Sequence, residues 1–296
     1  TYFTFLNKTI QIKNCLINLK FPLKVAGRYS KPLFKQLVFE ISNNNVEKIF
    51  FEFTSSMLYA KKIKKLFPNI DVHFVEHDVT FQSFFRLSKS RNFLKNFFYY
   101  LEYKRMKTFE LYNLKRFNYI YTLNYKDLRL LQEHGVKNVT VKYPKVEDWI
   151  YTVDRSNFKK KSILFLGAMH RKENQDAVLW FVKYIIPPLV LLHPDLMFYV
   201  VGGGVTENIK KLENKNIIIT GFVKDLRHYF EMVHLAVVPL SYGAGIKIKT
   251  VETVSAKILT LATDIGAEGV DKSDFLEIVN SKEDYVFLID KLFNDV

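Results

Sequence analysis

Nine short apolar runs, separated by longer amphipathic stretches, constrain the fold of this chain more than any other feature of it. VEKIFFEF, DVHFVEH, YIYTLN and VTVKYP lie in the first half, and SILFLGA, MFYVVGG, NIIITGF, LAVVPL and LTLAT in the second. Runs of this kind read as strands of parallel sheets, because a strand covered on both faces loses the in–out alternation of a half-exposed one. The intervening segments SSMLYAKKIKKLF, RNFLKNFFYYLEYKRMKTFELYNL, YKDLRLLQEHG, NQDAVLWFVKYIIPPLVLL, VTENIKKLE, KDLRHYFEMV and KTVETVSAK read as helices. Strand–helix alternation predicts an α/β fold of doubly wound parallel sheets. The polar segment PKVEDWIYTVDRSNFKKKS (144–162) predicts an interdomain linker, so the expected domains are 1–150 and 151–296.

The run HLAVVPL leads into a glycine-rich turn, Gly243, Ala244 and Gly245, and then into a helical segment bearing Lys247, Lys249 and Glu252. A strand, a glycine turn and a helix N-terminus together make a phosphate site, because free backbone N–H groups and the helix dipole point at the anion. The lysines add positive charge, and Glu252 offers acceptors for hydroxyls. The ligand implied is a phosphorylated sugar or nucleoside; the alternative is a strand-to-helix loop with solvated lysines.

Composition narrows the class. A hydrophobic content of 48% over 296 residues is that of a soluble α/β chain with room for two cores. No apolar stretch approaches the roughly 20 uncharged residues of a membrane span; the longest candidate, FVKYIIPPLVLL, contains Lys183 and two prolines. A single cysteine, Cys15, precludes an internal disulfide and suggests a reducing compartment. The opening TYFTFLNKTIQIKN lacks the pattern of a signal peptide, and a cytoplasmic location is expected, peripheral at the inner face of the membrane if the basic half described next meets lipid. Residues 1–150 hold 26 Lys and Arg against 12 Asp and Glu, whereas residues 151–296 hold 18 of each, so the whole excess of +14 lies in the first half. Its densest part, RLSKSRNFLKNFFYYLEYKRMKTFELYNLKRFNYIY, mixes cations with Phe and Tyr. Three readings stand: a solvated helix face, contact with an anionic membrane surface, and nucleic-acid binding, the last without any accompanying motif.

In order and spacing, FLGAMHRKENQDAVLWF, FYVVGGG, ITGFVKDL, VVPLSYGAGIKIKTVE and LATDIGAEGV resemble the donor-binding half of retaining glycosyltransferases of family 4. The resemblance runs from about Ser162 to Val270 and extends more weakly through Lys48–Val146, where VHFVEHD and YIYTLNYKDLRLLQEHGV look like the acceptor domain. It implies the GT-B fold, two Rossmann-like domains facing a cleft. The strand, glycine-rich loop and long helix that open the family's acceptor domain have no counterpart before Lys48, where Gly27 is the one glycine. The expectation is a truncated N-terminal domain, a nearly complete donor domain, and a clipped terminal helix.

The resemblance also implies site roles. Glu252 matches the second acid of an E-x7-E pattern and would accept hydrogen bonds from the donor ribose; the first acidic position is Ala244, a departure that bears on sugar recognition. The chain reads like the G-x-G-x-x-x-K-x-x-E members. Amides near Gly245 and Ile246 would meet the diphosphate, with Lys247 or Lys249 as the cation. After Gly167, Arg171 and Lys172 are further candidate cations or plain loop charges, and Asn174 is a candidate N-cap. Gly203, in FYVVGGG, belongs to the expected donor site. Phe222 and Val223 fall where the family contacts the nucleobase, with core packing as the alternative for Phe222. His77, at the end of a strand, would hydrogen-bond a sugar hydroxyl or hold charge near the reaction centre, or be structural. The expected catalytic set is His77, Lys249 and Glu252.

Cleaving a sugar–phosphate bond builds negative charge on the leaving diphosphate, which fixed N–H dipoles and cations stabilise. The resemblance implies retention of configuration, with a phosphate oxygen taking the acceptor proton. Without an Asp-x-Asp, HExxH or His/Cys cluster, no metal or other cofactor is expected. The expected partners are a nucleotide-diphosphate sugar and a glycan or lipid-linked acceptor of bacterial surface polysaccharide synthesis, with no nucleic acid. A nucleotide-sugar epimerase and a catalytically silent nucleotide-binding module are the alternatives.

Overall fold

The computed structural model describes residues 7–89 and 93–295. The chain divides into two compact units, Thr1–Tyr143 and Pro144–Val296. In the first, three helices, α1 (Lys8–Ile17), α2 (Leu23–Ala26) and α3 (Lys31–Asn43), precede the first strand. Then follow β1 (Lys48–Glu52), α4 (Met57–Leu66), β2 (Asp71–Glu76), α5 (Thr80–Leu87), α6 (Phe93–Leu114), β3 (Tyr119–Thr122), α7 (Tyr125–Glu133) and β4 (Val139–Val141). The helix expected from Arg91 matches α6, and its first residues, Arg91 and Asn92, lie outside the described residues.

These strands form a parallel sheet in the order β1-β2-β3-β4. Phe51, Val72, Phe74 and Ile120 point into a core shared with Met57, Ile63 and Met106. On the opposite face His73 is stacked between Phe50 and Tyr119, and those two rings are about half exposed. Two buried glutamates of α6 serve as helix caps: Glu102 accepts from the Leu23 amide (2.8 Å) at the start of α2, and Glu110 from the Thr80 and Phe81 amides (3.0 and 2.9 Å) at the start of α5. Carboxylates there satisfy N–H groups that no helical carbonyl reaches and meet the positive end of the dipole.

The second unit comprises β5 (Lys159–Leu166), α8 (Lys172–Tyr184), α9 (Ile186–Leu192), β6 (Met197–Val201), α10 (Glu207–Lys210), β7 (Ile217–Gly221), α11 (Arg227–Met232), β8 (Val233–Val238), α12 (Ile248–Ser255), β9 (Leu259–Ala262), β10 (Leu276–Ile278) and α13 (Lys282–Asn294). Its parallel sheet has the order β10-β9-β8-β5-β6-β7. Counted from β5 this is 3-2-1-4-5-6, the doubly wound dinucleotide-binding arrangement. Both faces are covered: Ile163, Phe165, Phe198 and Val237 pack with α8, α9 and α13, while Leu164, Tyr199 and Ala236 pack with Phe230 and Ala256.

Three departures from the sequence reading have local causes. The long helix expected over 174–192 is two, broken at Ile185, because Pro187 and Pro188 fall in the first turn of α9, where missing N–H groups cost nothing. The turn Asp148–Thr152 packs Ile150 and Trp149 into the second unit's core, so the break between units comes before it, after Tyr143. In the expected linker, Arg155 donates to the carbonyl of Phe230 in α11 and to those of Val233 and His234 at the start of β8. No single helix among the described residues is long and apolar enough to cross a membrane.

Candidate functional site

In a doubly wound sheet, the strand that leads one way and the strand that leads the other diverge at their carboxyl ends and leave a crevice. Here those strands are β5 and β8. The loop after β5 begins at Gly167, whose N–H donates to Val201 O (2.9 Å), and continues with Met169 N–H donating to Gly203 O (2.7 Å). This loop and the one after β6 approach so closely that a Cβ on Gly202 would lie 2.0 Å from Gly167 O. Phe222, just past β7, stands beside Gly203 and is 81% exposed, which excludes core packing; Val223 is half-buried against the second face of the sheet.

The loop after β8 carries the glycine turn. Gly243 (φ 142°) and Gly245 (φ 71°) adopt backbone conformations that a side chain would strain. Ala244 and Ile246 are half-buried between and beside them. Tyr242 Oη donates to Asp176 Oδ2 on α8 (2.7 Å), and Thr263 Oγ1 donates to Leu240 O (2.5 Å), so the segment that leads into the turn is held. Lys247 braces it from inside: its ammonium donates to Gly245 O (2.5 Å) and pairs with Glu268 (3.6 Å), both groups shielded from solvent. Lys247 is also the N-cap residue of α12, and its own side chain makes no cap bond.

Lys249, two residues on, turns toward the crevice. Its ammonium donates to Asn174 Oδ1 (2.7 Å), sits over the Phe165 ring (4.4 Å to the centroid), and is so close to Gly167 that a Cβ there would lie 2.6 Å away. Asn174 in turn donates to Ala168 O (2.9 Å). Asn174 is therefore no N-cap: α8 starts at Lys172 with Arg171 in the cap position, and the amide is drawn inward because the shielded ammonium requires an acceptor. Burial pulls the Lys249 pKa down to about 7; the Glu173 carboxylate opposes this, and Arg171 and Lys247 reinforce it. One turn further, burial pushes the Glu252 carboxyl up to about 7; the Glu147 carboxylate adds to the rise, and Lys249 opposes it. Lys249, Gly167 and Asn174 thus come together, with the charges of Arg171 and Glu252 near enough to act on Lys249. Lys172 does not join them; it pairs with Asp176 (2.5 Å), the carboxylate that also accepts from Tyr242.

His77 belongs to the first unit and directly follows β2. Its ring stacks on Phe53 (4.3 Å between centroids), and Nε2 lies 3.3 Å from Glu52 Oε2. Phe53 holds φ 63°, a conformation rare for a bulky residue, and with Thr54, Asp78, Lys24 and Arg28 it lines a cavity of about 180 Å³ beyond the ends of β1 and β2. Beneath lies a carboxyl pair that motif reading missed. Burial, then the neighbouring Glu110 carboxylate, push Glu76 well above its ordinary range, and burial raises Glu110 to about 7 against the amides of Phe81 and Thr80. Phe165, Asp176 and Tyr242 were also missed: they lie within the quoted segments, but their contacts join residues far apart in the chain and leave no mark in the spacing. No group of three or more His, Cys, Asp or Glu among the described residues is placed to hold a metal ion.

Residues 160–295 match the family described as glycosyl transferases group 1. The match lies within the second unit. An uncharacterized 44.6 kDa protein in the cps region of Klebsiella pneumoniae is 20% identical over 146 residues, 46% of this chain and 38% of the relative. Among solved structures, TarM is similar at TM-score 0.65 and 15% identity, over 88% of this chain and 50% of TarM. Sucrose-phosphate synthase from Thermosynechococcus elongatus is similar at TM-score 0.67 and 11% identity, over 99% of this chain and 72% of the synthase. Anabaena HepE in complex with UDP is similar at TM-score 0.62 and 12% identity, over 89% of this chain and 73% of HepE. The chain spans about half the length of TarM and less of the curated relative. Its fold is GT-B.

Proposed function

We propose that this chain carries the donor site of a retaining group 1 glycosyltransferase, which moves a sugar from a nucleoside diphosphate to a glycan or lipid-linked acceptor without a metal ion. One observation carries the reading. At the switch point of the doubly wound sheet, a desolvated ammonium, Lys249, has a neutral amide oxygen as its hydrogen-bond acceptor, beside a positive-φ glycine turn and the start of α12. A diphosphate there would meet a cation and backbone N–H groups in a low-dielectric setting, where each interaction is strongest. HepE has been captured with UDP, and the Klebsiella pneumoniae relative is encoded in a cps region, in keeping with a nucleotide donor and a role in surface polysaccharide synthesis.

Chemistry follows from charge. As the anomeric bond breaks, the departing diphosphate gains negative charge that Lys249, Arg171 and the loop amides would stabilise. A diphosphate oxygen would then take the proton of the incoming hydroxyl on the same face, giving retention. Glu252 would accept from the ribose hydroxyls, and Phe222 would present its exposed ring to the base. We assign the phosphate contact to Lys249 and a bracing role to Lys247. Cytoplasmic residence is part of the proposal, consistent with one cysteine in 296 residues.

Titration calorimetry with UDP, GDP, ADP, CMP and dTDP tests the donor site. One nucleotide should bind equally well with or without EDTA, and Lys249→Met should weaken it by roughly 10- to 100-fold. Loss of binding in EDTA would overturn metal independence, and binding of none in a folded sample would overturn the site. Nucleotide binding without transfer to any acceptor in the full-length protein would favour the silent module.

A further inference from the structure

Helices α4 and α6 form a face of the first unit that the donor site does not use. Between them lies a groove of about 780 Å³ floored by Met57 and Phe109. Lys20, Lys61, Lys62, Lys65 and Lys104 line it. No acid offsets them on these helices: α4 contains none, and the two glutamates of α6, Glu102 and Glu110, are turned inward to cap α2 and α5.

The same face continues toward the start of α6 as apolar surface. Phe93, Phe97, Leu101, Lys104, Thr108 and Tyr112 recur at three- and four-residue steps, so one stripe runs from the helix start into the groove. At its apolar end Phe93 is 81% exposed, Leu94 78%, Phe97 59% and Phe98 47%. Large aromatic side chains standing in water beside lysines, with no exposed acid on either helix, match one kind of surface. An interfacial amphipathic helix places aromatics at the headgroup level and cations on lipid phosphates.

We propose that the α4–α6 face docks this protein on an anionic lipid bilayer, with the aromatic start of α6 at the headgroup level and the groove lysines on lipid phosphates. Attachment there would hold a lipid-linked acceptor and the enzyme on one surface. The docking itself does not depend on the donor-site reading.

Co-sedimentation of the intact chain with phosphatidylcholine vesicles, with and without phosphatidylglycerol, tests this. The wild type should sediment with the anionic vesicles alone and be released by high salt. Neutralising Lys61, Lys65 and Lys104 together to Gln should weaken binding by about 100-fold, about fivefold per lysine. Phe93→Ser with Phe97→Ser should weaken it by about tenfold or more. All five side chains are exposed, so thermal midpoint and nucleotide binding should match the wild type, which separates loss of docking from misfolding. Equal binding to neutral vesicles, no binding to either, or variants that sediment like the wild type would overturn the proposal. So would retention on single-stranded RNA in place of vesicles.

Discussion

Adding one carbon at Gly202 would put it 2.0 Å from the carbonyl oxygen of Gly167, at φ 145°. Neither loop can move without disturbing the crevice, so Gly202→Ala should cost about 3 kcal/mol or more in urea denaturation and abolish nucleotide binding. Gly221 is the control: φ is 69° but nothing lies within 4 Å, so Gly221→Ala should cost only about 1–2 kcal/mol. The Lys249–Glu252 pair gives a second prediction. Glu252 holds its proton up to about pH 7 in the folded chain, whereas the ordinary carboxyl value is 4.5. The unfolded state therefore binds fewer protons between those values, and stability falls as pH rises through that window. Lys249 is the mirror case, with a folded pKa of about 7 against 10.5, so its contribution rises from pH 7 to 10.5. Glu252→Gln should flatten the acid limb and Lys249→Met the alkaline limb, each by on the order of 2–3 kcal/mol, as read from denaturation midpoints across pH. Lys249 and Glu252 were visible in the sequence because they follow the Gly243–Gly245 turn at a spacing with chemical meaning; Gly202 and Gly221 were not singled out there. The inward turn of Lys247, the Asn174 bridge and the Glu76–Glu110 pair were not, because they arise from contacts between segments far apart in the chain.

At the scale of elements, the turn after β8 is held to α8 by one hydroxyl, the Tyr242–Asp176 bond of 2.7 Å. Tyr242→Phe keeps the ring and removes the tether. Donor affinity should drop by about three- to tenfold through the entropy of a looser loop, while the thermal midpoint moves by less than about 2 °C, since an exposed hydrogen bond adds little net stability. Calorimetric titration beside a melting curve separates the two; a large loss of stability with unchanged affinity would overturn the tether's role. The strands were legible because parallel strands are short apolar runs, and each of the nine marked one. Helices were less so. α3 has Ser30 as N-cap and Pro32 in its first turn but buries only Ile41 fully, so its apolar pattern is faint. α13 buries Tyr285, Ile289 and Phe293 at regular spacing within the second unit, and was overlooked because the resemblance led attention to a terminal helix crossing back to the first.

Over the whole molecule, the two units have separate cores and unlike charge. Both tryptophans, Trp149 and Trp180, lie in the second unit, Trp149 against Phe230 and Trp180 against Tyr285. Tryptophan fluorescence therefore follows the second unit alone, while far-UV circular dichroism follows helices in both. Separate cores predict that the two signals trace different transitions in urea, since cooperativity extends only as far as packing does. A nucleotide that binds the crevice should separate them further. At about 100 times its dissociation constant it adds about 2.7 kcal/mol to the unit that holds it, moving the fluorescence transition to higher urea. The part of the dichroism change owed to the first unit should stay where it was. Coincident transitions that shift together with nucleotide would mean that the units unfold as one, with nucleotide binding stabilising the whole chain. A fluorescence transition indifferent to nucleotide, in a sample that binds it by calorimetry, would place the nucleotide outside the second unit.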